Sequence, residues 1–97
     1  MADAYVVQRE ETGGSGRYVV YLPGGSEAEM TYHRTKPDTI AIDHTGVPPE
    51  FRNLGLALKL VEAGIADAQQ EGTRIVPLCS YVAAQFRRHP DWAPLLA

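Results

Sequence analysis

The sequence predicts an α/β fold, a mixed β-sheet with two helices, on three observations. Residues 17–22, 27–33 and 39–45 are rich in β-branched and aromatic side chains, and the second run alternates apolar and polar positions as a half-buried strand does. Between residues 57 and 68 the apolar positions change to helical spacing. A short apolar run at 74–78 and a second helical segment near Ser80 then follow. A strand, helix, strand unit linked by this much chain predicts a parallel pair joined by a right-handed crossover.

The elements follow in order. Residues 5–11 suit a short edge strand, and Thr12, Gly13, Gly14, Ser15 and Gly16 form a flexible connection. So little chain precedes that connection that it reads as a hairpin loop and not a domain linker. Pro23, Gly24, Gly25 and Ser26 mark a turn. Beyond it Ala28, Met30 and Tyr32 face one way while Glu27, Glu29, Thr31 and His33 face the other, so 17–22 and 27–33 pair as an antiparallel hairpin. After a turn at Thr35, Lys36, Pro37 and Asp38, the third strand sets Ile40, Ile42 and His44 on one face.

Ala57, Leu60, Val61, Gly64, Ile65 and Ala68 fall at i, i+3, i+4, i+7, i+8 and i+11, one face of a helix. Gly72 suits its left-handed C-terminal cap. Ser80 is placed to cap a second helix that runs through Val82, Ala83 and Phe86. Arg87, Arg88 and His89 complement the negative end of its dipole, Pro90 stops it, and Trp92 pins the closing turn onto the core.

A chain of 97 residues has room for one domain, taken as 1–97, with a single modest core. At 44% hydrophobic and 22% charged it reads as globular and soluble. The net charge is -3 and no basic run exceeds Arg87-Arg88, so the basic stripe of a nucleic-acid reader is missing and nucleic acid is not an expected partner. Met1 to Tyr5 lack the basic and apolar regions of a secretory leader, and no apolar run approaches a membrane span. One cysteine, Cys79, permits no internal disulfide and fits a reducing compartment, so a cytoplasmic location is expected. His33, His44, His89 and Cys79 show no ligand spacing, and no metal site is expected.

The stretch from Val47 to Ala57 carries the chemistry. It joins a strand to the start of the first helix, where unpaired backbone N–H groups and the positive end of a dipole form a natural seat for phosphate. Gly55 lets the backbone approach an anion closely, Ala57 keeps the first turn small, and Arg52 adds a charge. On these residues alone an anion site and a plain strand-to-helix turn both stand. Neither a P-loop nor a dinucleotide fingerprint is present.

Arg52-x-x-Gly55-x-Ala57 after a strand resembles the acyl-CoA pyrophosphate loop of the GNAT superfamily of N-acetyltransferases. The resemblance is closest to a small single-domain branch that lacks much of the usual N-terminal helical region. That branch carries a His-Thr-x-Val-Pro run, as in His44-Thr45-Gly46-Val47-Pro48, and a Pro-x-Cys-x-Tyr-Val segment, as in Pro77-Leu78-Cys79-Ser80-Tyr81-Val82. Its closing run matches His89-Pro90-Asp91-Trp92-Ala93-Pro94-Leu95, so the likeness covers residues 27–97. One departure is Asn53, where many relatives have glycine; Asn tolerates left-handed backbone better than other residues with a side chain.

The resemblance implies an abbreviated GNAT-like sheet that binds acetyl-CoA and transfers its acetyl group to an amine. The cofactor contacts would come from Thr45, Val47, Arg52, Asn53, Leu54, Gly55, Leu56 and Ala57. The pantetheine arm would lie between splayed strands ending near Val47 and Cys79, pairing with backbone around 45–47. An acyl-CoA-binding or interaction module without turnover is the alternative, because the segment that usually shapes the acceptor site is missing.

Three side chains are catalytic candidates, each beside a plainer reading. His44 is either a half-buried, hydrogen-bonded histidine or the acceptor of the amine's proton. Tyr81, in the first turn of the second helix, either packs or protonates the departing CoA thiolate. Cys79, at a helix start that favours a thiolate, either fills space or takes part in acyl transfer. Glu50 reads as a solvated loop residue, and Arg87 and Arg88 as helix-end charges that can also reach CoA phosphates.

Overall fold

The computed structural model describes residues 5–97, and the leader expectation for residues 1–4 lies outside them. Five strands, β1 (Gln8–Thr12), β2 (Ser15–Tyr21), β3 (Glu27–Lys36), β4 (Thr39–Gly46) and β5 (Arg74–Pro77), form one sheet in the order β1-β2-β3-β4-β5. The first four are antiparallel neighbours, and β5 lies parallel to β4. Helix α1 (Leu56–Glu71) makes the β4–β5 crossover, and α2 (Ser80–Arg88) follows β5. Short 3-10 turns occupy Pro23–Gly25, Pro49–Phe51 and Pro90–Leu95. This is the mixed-sheet α/β architecture expected, with the 3-10 turns added.

Alternation decides which face of the sheet is the core. Tyr18 and Val20 on β2, Ala28, Met30 and Tyr32 on β3, and Ile40 and Ile42 on β4 join Leu56, Leu60, Val61, Ile65 and Ala68 of α1 in one apolar cluster. Leu22, Ile75 of β5, Val82 and Phe86 of α2, and Trp92 of the closing turn complete it. Several details differ from expectation: the edge strand is Gln8–Thr12 and not 5–11, and β3 runs on through Thr35 and Lys36, which leaves only Pro37 and Asp38 for the turn. The buried face of α1 begins at Leu56, one turn before Leu60, while Ala57 is only half-buried. The connection after β1 shrinks to Gly13 and Gly14, because Thr12 pairs with Ser15 and Gly16 with Glu11.

The helix ends follow local chemistry. Gly72 takes the left-handed conformation (φ 72°) and its N–H donates to the Ala68 carbonyl, as predicted. The N-cap of α2 is Cys79, with Ser80 already helical, so the predicted Ser80 cap is displaced by one residue. The reason is the backbone: the Cys79 N–H donates to the Ile42 carbonyl at 2.9 Å, which keeps Cys79 extended on the β4 edge. The tail is stitched to β5 by a bridge between Leu96 and Ile75 and by the Ala97 N–H on the Ile75 carbonyl.

At the far end, Arg9 ties β1 to α1. Its guanidinium lies over the rings of Tyr18 and Tyr32 and pairs with Asp67 (3.2 Å) and Glu71 (2.7 Å). Beside it, Glu11 accepts from Arg34 at 2.8 Å and from the Tyr32 hydroxyl at 2.6 Å. These contacts, Arg34 first, hold the Glu11 carboxyl down to about 2 against its usual 4.5. A carboxylate depressed on folding stabilises the fold above its unfolded value, and that contribution drains away as pH falls from about 4.5 towards about 2. The pair is near the surface, so the effect is about 1 kcal/mol or less. Glu11→Gln should therefore lower the Tm at pH 7 with a gap that closes as pH approaches 2. An equal gap at pH 7 and pH 2.5 would contradict this.

Candidate active site

The site begins where β4 and β5 part. Their pairing ends at Ile42 and Pro77, and β4 runs on to Gly46 with no partner residue in β5. Strand β3 follows β4 to its end, but the register shifts between Thr31 and Tyr32: Tyr32 faces Ile42, whereas Thr31 faces His44. Asp43 is the extra residue of a β-bulge. Before the bulge, Ile42 points into the core; after it, Thr45 faces Met30 on that same side. His44 is thus turned to the opposite, polar face, which corrects its predicted place beside Ile40 and Ile42. Its side chain is 59% exposed, so the half-buried reading of this histidine is also corrected.

Beyond Gly46 the chain turns through Pro49–Phe51 into the start of α1. Arg52 folds back, its Nε donating to the Val47 carbonyl at 3.3 Å. Asn53 adopts φ 70°, the one left-handed non-glycine among the described residues, so the predicted tolerance of Asn is used. Gly55 is the N-cap of α1 at φ 74°, with no side-chain cap and no acidic residue in the first turn. The amides of Leu56, Ala57 and Leu58 therefore have no acceptor within the helix. A Cβ built on Gly55 would meet nothing within 4 Å, so the space in front of this helix start is open.

A cleft of about 450 Å³ occupies that space. Of the predicted cofactor contacts, Thr45, Val47, Arg52, Asn53, Gly55, Leu56 and Ala57 line it, and so does Tyr81 from α2. Leu54 is not among the lining residues, and its side chain is largely exposed. Gly46, Phe51 and Leu58 line the cleft but were not singled out. Gly46 and Phe51 lie inside the two quoted runs, and Leu58 is the next residue of the same helix turn. The acid-free first turn, the free amides and Arg52 nearby suit an anion, and the apolar walls suit a chain attached to it.

Cys79 lies just behind the cleft wall, its Sγ 3.6 Å from the Thr45 hydroxyl. Burial pushes its thiol pKa up, but the amides of Val82, Tyr81 and Thr45 and the Thr45 hydroxyl outweigh that, and the net shift is down. Tyr81 is shifted the other way, first by burial and further by the charge of Glu62, against opposing effects of Gln85 and Arg88. Its phenol is thus held protonated, a donor at neutral pH. The structure brings Tyr81 and Thr45 to the cleft, sets Cys79 one side chain behind Thr45, and places His44 across the strand.

A mixed-sheet α/β domain with its cleft between the end of β4, the start of the crossover helix and the first turn of α2 is the class these features define. The family model for the GCN5-related N-acetyl-transferases matches residues 17–95, and the chain belongs to that family, among the N-acetyltransferases. The chain is also similar to the solution NMR structure of a GCN5-like protein from Staphylococcus aureus. The two share 22% identity and a TM-score of 0.67, over 93% of this chain and 87% of that one, which shows a common fold. No helix of the described residues is long and apolar enough to cross a membrane.

Proposed function

We propose that residues 1–97 form one acyl-CoA-binding unit, of the small single-domain branch, that takes acetyl-CoA in the cleft and transfers its acetyl group to an amine in the cytoplasm. The observation that carries this reading is the cleft itself, which joins the end of β4 that β5 leaves unpaired to the free amides of α1. The pyrophosphate sits on the amides of Leu56 to Leu58 with Arg52 beside it, and the pantetheine amides pair with β4 backbone at Thr45 to Val47. The thioester then lies between Thr45, Cys79 and Tyr81.

The chemistry follows from those positions. The amine nitrogen attacks the thioester carbonyl, the C–N bond forms and the C–S bond breaks. CoA leaves as a thiolate, which the protonated Tyr81 phenol receives with a proton. The Cys79 thiol beside Thr45 orients the thioester, and His44 takes the amine's proton. Catalysis is mostly positioning and a cradle of N–H groups. Acetyl-CoA consumption across a panel of amines and peptides, together with CoA calorimetry, tests the reading. A second reading, acyl-CoA binding without turnover, is favoured by the open setting of His44; CoA binding with no acetyl transfer to any acceptor would establish it.

Cys79 gives a separate check. Its lowered pKa means iodoacetamide should label it with a pH midpoint below the usual 9.0, and CoA should protect it. A midpoint at or above 9.0 would remove the thiol from the chemistry.

A further inference from the structure

The bulge that turns His44 onto the polar face also hands it two neighbours that hold it there. The first is Gly46. A Cβ built on Gly46 would lie 3.0 Å from His44 Nε2 and 3.4 Å from Cε1, so the imidazole rests directly on the glycine backbone. Gly46 in turn lines the cleft, so one glycine backbone lies between the ring on the polar face and the site. The second neighbour is Glu29 on β3, whose Oε2 stands 4.0 Å from His44 Nε2. Its other oxygen accepts from Arg17 Nη1 at 2.9 Å, so the carboxylate is anchored from β2.

We propose that Gly46 and Glu29 are positioning residues for His44, seating and orienting the imidazole so that it takes the acceptor amine's proton at the polar face of the sheet. The inference rests on the acetyl-transfer reading above. Glu29 carries the orientation. A carboxylate facing Nε2 favours the tautomer with its proton on Nε2 and leaves Nδ1 as the acceptor. The 4.0 Å separation is an electrostatic contact and closes to a hydrogen bond with a small ring rotation, as catalytic contacts do when substrate arrives.

The proton account balances. Nδ1 takes one proton from the ammonium, the free amine attacks the thioester, Tyr81 gives its proton to the CoA thiolate, and the proton then lost from nitrogen restores the phenol. The products are the amide, CoA thiol and imidazolium, which returns its proton to water. Elsewhere on that face Asp43 is bonded to Thr31 and His33, and Arg17, opposite Thr31 in register, carries Glu27 and Glu10. Glu29 is the carboxylate paired to His44 itself.

The test uses the full chain with acetyl-CoA, n-butylamine and a short lysine peptide as acceptors. His44→Gln should lower kcat about a hundredfold, the lower end of general-base contributions, and Glu29→Gln about tenfold, with the CoA Kd within threefold in both. Gly46→Ala, which pushes the ring off its seat without touching a charge, should lower kcat as Glu29→Gln does. Glu29→Asp should recover part of the loss. Wild-type turnover that Glu29→Gln and Gly46→Ala leave within twofold would overturn this inference while acetyl transfer stands. Failure of the wild type to acetylate either acceptor would overturn the inference and turnover on these amines together.

Discussion

Gly55→Glu should abolish binding of CoA while leaving the protein folded. The backbone of Gly55 is left-handed (φ 74°), which costs a residue with a Cβ about 1–2 kcal/mol. The same substitution puts a negative charge at the N-terminus of α1, which returns about 0.3–1 kcal/mol through the helix dipole. These nearly offset, so the Tm should fall by only a few degrees. The space in front of Gly55 is open, and a glutamate there enters the volume assigned to phosphate. Two unit charges about 4 Å apart repel by about 4 kcal/mol at an effective surface dielectric, about three powers of ten in Kd. Gly55→Ala carries the strain without the charge and should weaken binding far less. Arg52→Ala removes one charge-assisted contact, about 1.5–3 kcal/mol. Calorimetry that finds wild-type affinity in Gly55→Glu would remove the anion seat from this helix start.

Much of this site was legible because its signals are local. Gly55, Arg52 and Asn53 each answer to a backbone or charge requirement visible in a few residues, and helical spacing gave most of the face of α1. The alternation of Ala28, Met30 and Tyr32 likewise marked the core side of β3. The bulge at Asp43 was not legible, since its position depends on how β4 registers against β3. An extra residue in one strand reverses every side chain after it, and nothing in the run from Thr39 to Thr45 marks where it falls. That one event moved His44 from the core face to the polar face and brought it to Glu29 and Gly46. The N-cap of α2 escaped for a similar reason: Ser80 is the better capping residue, but the bond from Cys79 to Ile42 sets the boundary.

Trp92→Ala should be the most destabilising single change at the C-terminal end. Trp92 is only 7% exposed, and its indole stacks on His89 with centroids 3.9 Å apart and meets Phe86 edge-on at 5.8 Å. Removing a buried tryptophan costs about 3–5 kcal/mol. A domain of this size has about 5–15 kcal/mol in total, so the loss is a large share. At about 4–8 °C per kcal/mol, the Tm should fall by on the order of 12–40 °C. The damage should spread in a defined way. Trp92 joins the closing turn to α2, and the turn leads to the Leu96–Ile75 bridge at the β5 edge. Amide exchange at Ala97, whose N–H donates to Ile75, should therefore quicken more than exchange at Lys59 in α1. Trp92→Phe keeps the contact with Phe86 and part of the area, and should lose less than half as much. Helix α2 carries Cys79 and Tyr81 at its start, so CoA affinity at 10 °C, where the variant is still folded, reports whether the loosened turn reaches the cleft. A Tm drop of only a few degrees would mean that α2 is held by Val82 and Phe86 against the sheet, with Trp92 merely covering them.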